Sequence, residues 1–288
     1  MAALCPMGYF QKVVNLTKRL ERGDAQLAYE DAGSGEQAVV LLHGAGLDHT
    51  MFDDQAAALI ERGFRVIVCD LRGHGESAMK AGMRFAAQDA LRDLDALLSA
   101  CGHPSPVLVG HSLGGNLAQA FTRAHPDRVS GLIVLGSTWN TGPLSAMERL
   151  GLRLAAPALA AMPARTMARL MARASAVRPE AVTRAESVFA RMPKRVFLDV
   201  WRATTSFVQP DPTYLSPVPL ALVRGAEDRT GNIASAMARW AAAEGVRERV
   251  IPGAGHILTW DAPAETSRTL CEILDEWRAA EPGRAGRR

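Results

Sequence analysis

A chain of 288 residues, 48% of them apolar and with a formal net charge of only +3, can bury one large core or two smaller ones. The near-neutral balance argues against a nucleic-acid partner. No apolar run is long enough to span a bilayer, so no membrane association is expected. The four cysteines, Cys5, Cys69, Cys101 and Cys271, are scattered without metal-ligand spacing, which predicts no zinc site and a reducing, cytoplasmic compartment.

Residues 1–13 carry no periodic signal and read as a loose arm. The first residues lack a basic n-region and a long apolar h-region, so no leader is expected, and Met7 is an alternative start. Short strand patterns follow at Arg19–Glu21 and Gln26–Glu30, joined by a turn at Arg22-Gly23-Asp24. Ala38–Leu42 is continuously apolar, as a strand covered on both faces must be, and ends in His43-Gly44-Ala45-Gly46. A helix near Phe52–Arg62 leads to a strand at Arg65–Cys69 and the motif Asp70-Leu71-Arg72-Gly73-His74-Gly75-Glu76-Ser77. Leu91, Leu94 and Leu98 have helical spacing, and Pro104 and Pro106 end that segment.

An apolar run, Val107-Leu108-Val109, then stops at Gly110. A helical pattern starts at Gly114, with Leu117, Ala118 and Phe121 on one face. Only His111, Ser112 and Leu113 lie between, so the chain must reverse within a few residues. Such a turn strains the backbone at Ser112 and needs glycines beside it, where a Cβ would meet the neighbouring strand or helix. It presents the serine hydroxyl at a strand's carboxyl end, beside the positive end of a helix. The competing reading is a glycine-rich turn with an incidental serine.

Val129–Leu135 is the next strand. After a long middle region come a strand at Leu220–Arg224, a helix at Ile233–Ala243, a short strand at Glu248–Ile251 and a helix at Pro263–Trp277. The Arg/Gly-rich tail from Glu281 reads as disordered. Alternating strands and helices predict an α/β fold: a mostly parallel, doubly wound sheet of about eight strands, with sites at the strands' carboxyl ends. The middle, residues 138–216, has no buried-type strand. Its Ala, Leu, Met and Arg residues at helical spacing, punctuated by Pro157, Pro163, Pro179 and Pro193, predict short helices forming a cap after the sixth strand. Core domain segments 1–137 and 217–288 would flank it. The cap holds eleven Lys/Arg against five Asp/Glu, which either steers anionic substrates or is a solvated outer face.

On Gly110-His111-Ser112-Leu113-Gly114 and its strand–turn–helix setting, the chain resembles the α/β-hydrolase fold, from about Leu20 to Trp277 and least between 138 and 215. The resemblance implies a triad in the order serine, acid, histidine. His256 follows the last strand in Ile251-Pro252-Gly253-Ala254-Gly255-His256, where the family places its base. Asp228, just past Leu220–Arg224, takes the acid position, with Glu227 as local rival. The other family position, after Val129–Leu135, offers no acid. Asp228 would hold the His256 tautomer whose free nitrogen faces Ser112. The resemblance also implies two oxyanion donors, the N–H groups of Leu113 and of Ala45 in the His43-Gly44-Ala45 loop. His43 reads as bracing that loop, and Asp70 as part of a structural turn. A surface-loop role is the bland alternative for His256.

Dehalogenases and epoxide hydrolases of this fold use an aspartate nucleophile, whereas this chain has Ser112. Tyr214 is the only tyrosine near the cap, where epoxide hydrolases use a pair. No Gly-x-Gly-x-x-Gly opens a helix after a strand, so no cofactor is implied. The leading expectation is a serine hydrolase of carboxylic esters or lactones acting on a small acyl substrate; a homo-oligomer is left open. The alternative is hydrolytic C–C cleavage of a β-diketone-like ring-fission product. The resemblance implies a cap arginine for that reaction, and His256-Ile257-Leu258-Thr259-Trp260 is similar to the histidine loop of such members. Packing is the rival reading of Trp260. A catalytically idle ligand receptor is the non-enzyme alternative. The cap is expected to set substrate choice and leave the chemistry alone, its Met147, Met162, Met167, Met171, Phe189, Met192, Phe197, Trp201 and Phe207 roofing an apolar pocket.

Overall fold

The computed structural model describes residues 14–280. The expected N-terminal arm, Cys5 and the tail from Glu281 lie outside the described residues. Nine strands form one sheet: β1 Lys18–Glu21, β2 Ala25–Ala32, β3 Ala38–Leu42, β4 Arg65–Cys69, β5 Ala78–Met79, β6 Val107–His111, β7 Gly131–Leu135, β8 Leu220–Gly225 and β9 Glu248–Ile251. Their spatial order is β1-β2-β4-β3-β6-β7-β8-β9, with β5 pairing β2. The pairs from β4 to β9 are parallel, while β2 runs antiparallel to its neighbours. The two-residue β5 is too short for a periodic signal. It makes the strand before the cap the seventh in chain order, although that strand is the expected one.

Every residue of β3, β6 and β7 is buried, because helices cover both faces of the central strands. The two-residue period of a strand splits their side chains between two cores. Val39, Leu41, Val107 and Val109 pack with Phe52, Leu59, Leu270 and Leu274, from the flanks of helices α1 (Asp53–Glu61) and α9 (Pro263–Ala280). Val40, Leu42 and Leu108 pack on the other face with Leu94, Leu98, Phe121 and Trp240, from α2 (Ala87–Cys101), α3 (Leu113–Ala124) and α8 (Ile233–Glu244). Chain order reverses in space at β3 and β6, which places a crevice beyond their carboxyl ends.

Between β7 and β8 run four helices: α4 Ala146–Ala161, α5 Ala164–Ser175, α6 Pro179–Arg191 and α7 Lys194–Ser206. Pro163 and Pro193 are the N-caps of α5 and α7, and Pro179 is the first residue of α6. A proline's locked φ and missing N–H suit a helix start. Pro157 behaves differently from the expectation: it lies inside α4, where its exposed position costs the helix one backbone bond without ending it. A capping box of Ser145 and Glu148 starts α4. Among the described residues no helix is long and apolar enough to cross a membrane.

Candidate active site

The strand β6 passes into α3 through Ser112, whose φ of 50° and ψ of −113° make it the one non-glycine residue with positive φ among those described. The helix begins at Leu113, one residue earlier than the apolar spacing predicts. Small residues make the turn possible. A Cβ on Gly110 would overlap the Gly114 carbonyl, and one on Gly114 would overlap the Leu42 carbonyl. A Cβ on Gly115 would stand 2.6 Å from that of Ser137. The Ser112 N–H donates to the Leu135 carbonyl (3.0 Å), and its own carbonyl accepts from Asn116 N–H (2.9 Å) and Ser137 Oγ (2.8 Å). The strain is thus held from both neighbouring elements.

Asp228 and His256 arrive on the loops after β8 and β9. His256 Nδ1–H donates to Asp228 Oδ2 at 2.9 Å, leaving Nε2 without a partner among the described residues. Asp228 Oδ1 accepts the Thr230 N–H at 2.8 Å. Burial alone would raise the Asp228 pKa, but the charge and hydrogen bond of His256 and the Thr230 N–H outweigh it and hold the carboxyl below its ordinary value. Glu227 does not compete. Its side chain is half exposed, 3.8 Å from Arg229, while its N–H bonds the Ala254 carbonyl. The position after β7 carries Gly136, where a Cβ would lie 3.4 Å from both Asp228 Oδ2 and His256 Nδ1, so a small residue leaves room for the pair.

Neither the Ala45 N–H nor the Leu113 N–H has an acceptor among the described residues. The loop carrying Ala45 is fixed by its neighbours. His43 Nδ1–H donates to the Gly44 carbonyl (2.8 Å), and its Nε2 accepts the Leu71 N–H (2.9 Å), the bracing expected of it. Buried Asp70 accepts from the His49 main-chain N–H (2.6 Å), His49 Nδ1–H and the Glu76 N–H, joining that loop to the turn after β4. Asp70 and His43 are therefore structural neighbours of the site.

Ser112 and His256 line one cavity of about 490 Å³, together with Gly44, Ala45 and His111 from the core. Of the nine cap residues expected to roof it, Met147, Met171, Phe189 and Trp201 do so. Met167, Phe197 and Phe207 are instead buried in the cores, and Met162 and Met192 pack against them. Among the described residues the lining holds no Lys or Arg, and Glu148 is its one carboxylate. Hydrogen bonds from Asn232 and from the Ser145 N–H push the Glu148 pKa down to about 2. Three cap arginines are engaged elsewhere: Arg184 with Asp53 (3.1 Å), Arg191 with Asp48 (2.9 Å) and Arg202 with Asp199 (3.0 Å). Trp260 lies outside the cavity, buried beneath the Arg184 guanidinium at 4.5 Å.

A family model described as the alpha/beta hydrolase fold matches residues 37–263. The chain belongs to the α/β-hydrolase family. This α/β hydrolase is 36% identical over 123 residues to a 2-hydroxy-6-oxononadienedioate/2-hydroxy-6-oxononatrienedioate hydrolase of Dechloromonas aromatica. That stretch is 41% of the chain and 43% of the relative's length, so the chain spans less than half of the curated relative it matches. Among solved structures it is similar to a thermophilic esterase from Thermogutta terrifontis, with a TM-score of 0.76 and 27% identity over 90% of this chain and 99% of that one. The enol-lactonase of Burkholderia xenovorans also superposes with a TM-score of 0.76, at 20% identity over 90% of this chain and 100% of that one.

Several neighbours of the site have roles that no motif specifies, including His111 inside the Gly110–Gly114 motif. His111 donates its Nε2–H to the His256 carbonyl at 2.8 Å, its ring centroid 4.6 Å from that of His256. Burial and the nearby His256 push the His111 pKa down to about 3, so it stays neutral. Asn116, Gln119 and Asn140 knit α3 to the loop after β7, with Gln119 Nε2 2.9 Å from the Thr138 carbonyl and Asn140 Nδ2 2.8 Å from that of Asn116. Asp261, five residues after His256, is a further buried neighbour outside the motifs.

Proposed function

We propose that the chain is a serine hydrolase in which Ser112 attacks a carbonyl carbon, His256 is the base and Asp228 orients it. The observation that carries this reading is the 2.9 Å bond from His256 Nδ1–H to Asp228, beside a strained Ser112 in the same cavity. That bond fixes the tautomer in which Nε2 can take the Ser112 proton. The Ser112 oxygen then bonds to the carbonyl carbon, and the N–H groups of Ala45 and Leu113 receive the developing oxyanion. As the tetrahedral carbon collapses, the leaving group departs with the bonding pair and takes the proton from His256. Water, deprotonated in turn by His256, bonds to the acyl carbon, and Ser112 Oγ leaves with the bonding pair and takes that proton back from His256.

The leaving atom distinguishes two readings. Carbon is favoured by the names of the curated relatives, several of which are 2-hydroxy-6-oxononadienedioate hydrolases. The first reading is accordingly hydrolytic C–C cleavage of a β-diketone-like compound, in which an enolate leaves. Oxygen, as in an ester or lactone, is favoured by one feature of the site. Among the described residues the cavity carries no Lys or Arg to receive a substrate carboxylate, and its one carboxylate, Glu148, is already paired with Arg239 at 3.0 Å. The esterase similar over 90% of the chain supports that second reading.

A fluorophosphonate label tests the shared chemistry: it should modify wild-type protein at Ser112 and leave Ser112→Ala unmodified. Turnover of a 2-hydroxy-6-oxo-dienoate, set against an ester series, separates the two readings. Consumption of esters alone would displace the C–C reading. Absence of both label and turnover would leave the ligand-receptor reading of this fold.

A further inference from the structure

His256 is held on both sides by amides that do not belong to the core sheet. The preceding residue, Gly255, donates its N–H to Asp261 Oδ2 at 2.8 Å. The following residue, Ile257, donates to the Ser175 carbonyl at 2.7 Å. Asp261 is itself buried, at 2% exposure, and accepts two further main-chain N–H groups, from Val177 (3.0 Å to Oδ1) and Arg178 (2.8 Å). Ser175 ends α5, and Val177 and Arg178 lie in the connector that joins it to α6, in the cap. One carboxylate therefore fastens the histidine loop to the cap. Gly255 is packed against the same connector, since a Cβ there would lie 3.2 Å from the Ser175 carbonyl and from Val177 Cγ2. The end of α5 also reaches the cavity, which Met171 and Ser175 line alongside His256 and Ile257.

We infer that Asp261 is a positioning residue for His256, locking the histidine loop to the α5–α6 connector so that the cap governs the orientation of the base. This rests on the serine-hydrolase reading above. It replaces the expectation that the cap leaves the chemistry alone. A buried carboxylate with three main-chain donors cannot be exchanged for an amide, whose NH₂ group would face an N–H. The loop would then relax, and displacement of a base by about 1 Å costs up to about 10²-fold in rate.

Two variants test this from opposite sides. Asp261→Asn removes the acceptor. Arg178→Pro removes one donor from the cap side, at a residue whose φ of −75° suits proline, with Arg178→Ala as its reference for loss of the side chain. In folded variants, Asp261→Asn and Arg178→Pro should each lower kcat by about 10- to 100-fold with KM within about twofold, and slow fluorophosphonate labelling in parallel. The downfield proton resonance of His256 Nδ1–H, hydrogen-bonded to Asp228, should broaden or vanish in both, a readout that needs no turnover. If wild-type protein takes no label, the serine-hydrolase reading has failed, and the proton resonance still decides whether Asp261 orders the ring. An unchanged resonance in folded Asp261→Asn or, where that variant does not fold, in Arg178→Pro relative to Arg178→Ala would overturn the inference. So would wild-type labelling in either comparison.

Discussion

Replacing Asp228 by asparagine changes two atoms' chemistry and almost no volume, so its effect can be worked from the contacts. Asp228 accepts two hydrogen bonds on separate oxygens, from His256 Nδ1–H at 2.9 Å and from the Thr230 N–H at 2.8 Å. An amide has one oxygen. If that oxygen stays with Thr230, the NH₂ group faces His256 and forces the tautomer with Nε2 protonated, which cannot accept the Ser112 proton. If it turns to His256, the buried Thr230 N–H meets a donor. Neither arrangement keeps the base competent at no cost. The expected loss is roughly 10²–10⁴ in kcat, about 3–5 kcal/mol at 1.36 kcal/mol per factor of ten. Glu227→Gln should change kcat by less than about twofold, because its side chain faces solvent near Arg229. Steady-state turnover and the rate of fluorophosphonate labelling measure both variants. A larger loss in Glu227→Gln than in Asp228→Asn would refute the assignment of the acid.

Ser112→Ala should abolish labelling and lower turnover by roughly three orders of magnitude or more. Ser112→Gly should melt higher than Ser112→Ala, by about 2–4 °C, because glycine relieves the positive φ at a cost difference of about 1 kcal/mol. For His49, burial lowers the pKa, but the hydrogen bond and charge of Asp70, with Asp48 and Asp53, outweigh it and raise the value above the ordinary one. A raised folded value contributes stability that is fully present below about pH 6.5 and is lost as pH rises through the folded value. The stability gap between wild type and His49→Gln, measured by urea unfolding, should therefore narrow from pH 6 to pH 9; a constant gap would refute the ion pair. Alanine at Met171, Phe189 or Trp201, which line the cavity, should reorder kcat/KM across a substrate series, each contact discriminating by about 1–3 kcal/mol, while Ser112 still takes the label.

The parts of this molecule that were readable as sequence are those whose physics is local. The elbow was legible because Gly110, Gly114 and Gly115 each stand where a Cβ has no room, and because β6 and α3 each have their own apolar period. The sheet was legible through β3, whose five residues are all buried. Legibility declined where a residue's partner is far away in the chain. Arg184 is one of eleven cap cations by composition, yet its contacts, Asp53 and the Thr50 carbonyl, lie more than 130 residues distant. The helical period of the cap identified its helices but not which side of each meets the cavity. Phe197 fills the core while Trp201, one turn later, lines the site.

The same distinction bears on how the cap and the core divide their tasks. A triad whose members all lie outside an insertion suggests that the insertion is replaceable, with substrate choice on one side and chemistry on the other. The bonds around His256 argue otherwise. Its own carbonyl is held from the nucleophile strand by His111, its preceding amide by Asp261, and its following amide by Ser175 of the cap. One of those restraints ends at Ser175, and the Asp261 carboxylate that makes another is itself bonded to the Val177 and Arg178 amides. On the serine-hydrolase reading we propose, a substrate pressing on Met171 or Ser175 would act on the backbone that carries His256, and the two tasks would share one connector. Substitutions at the α5–α6 connector should consequently change kcat, whereas those at Met147, which lines the cavity from α4, should change KM and substrate ranking alone. Equal effects on kcat from both places would mean that the cap acts as a whole, and not through the connector.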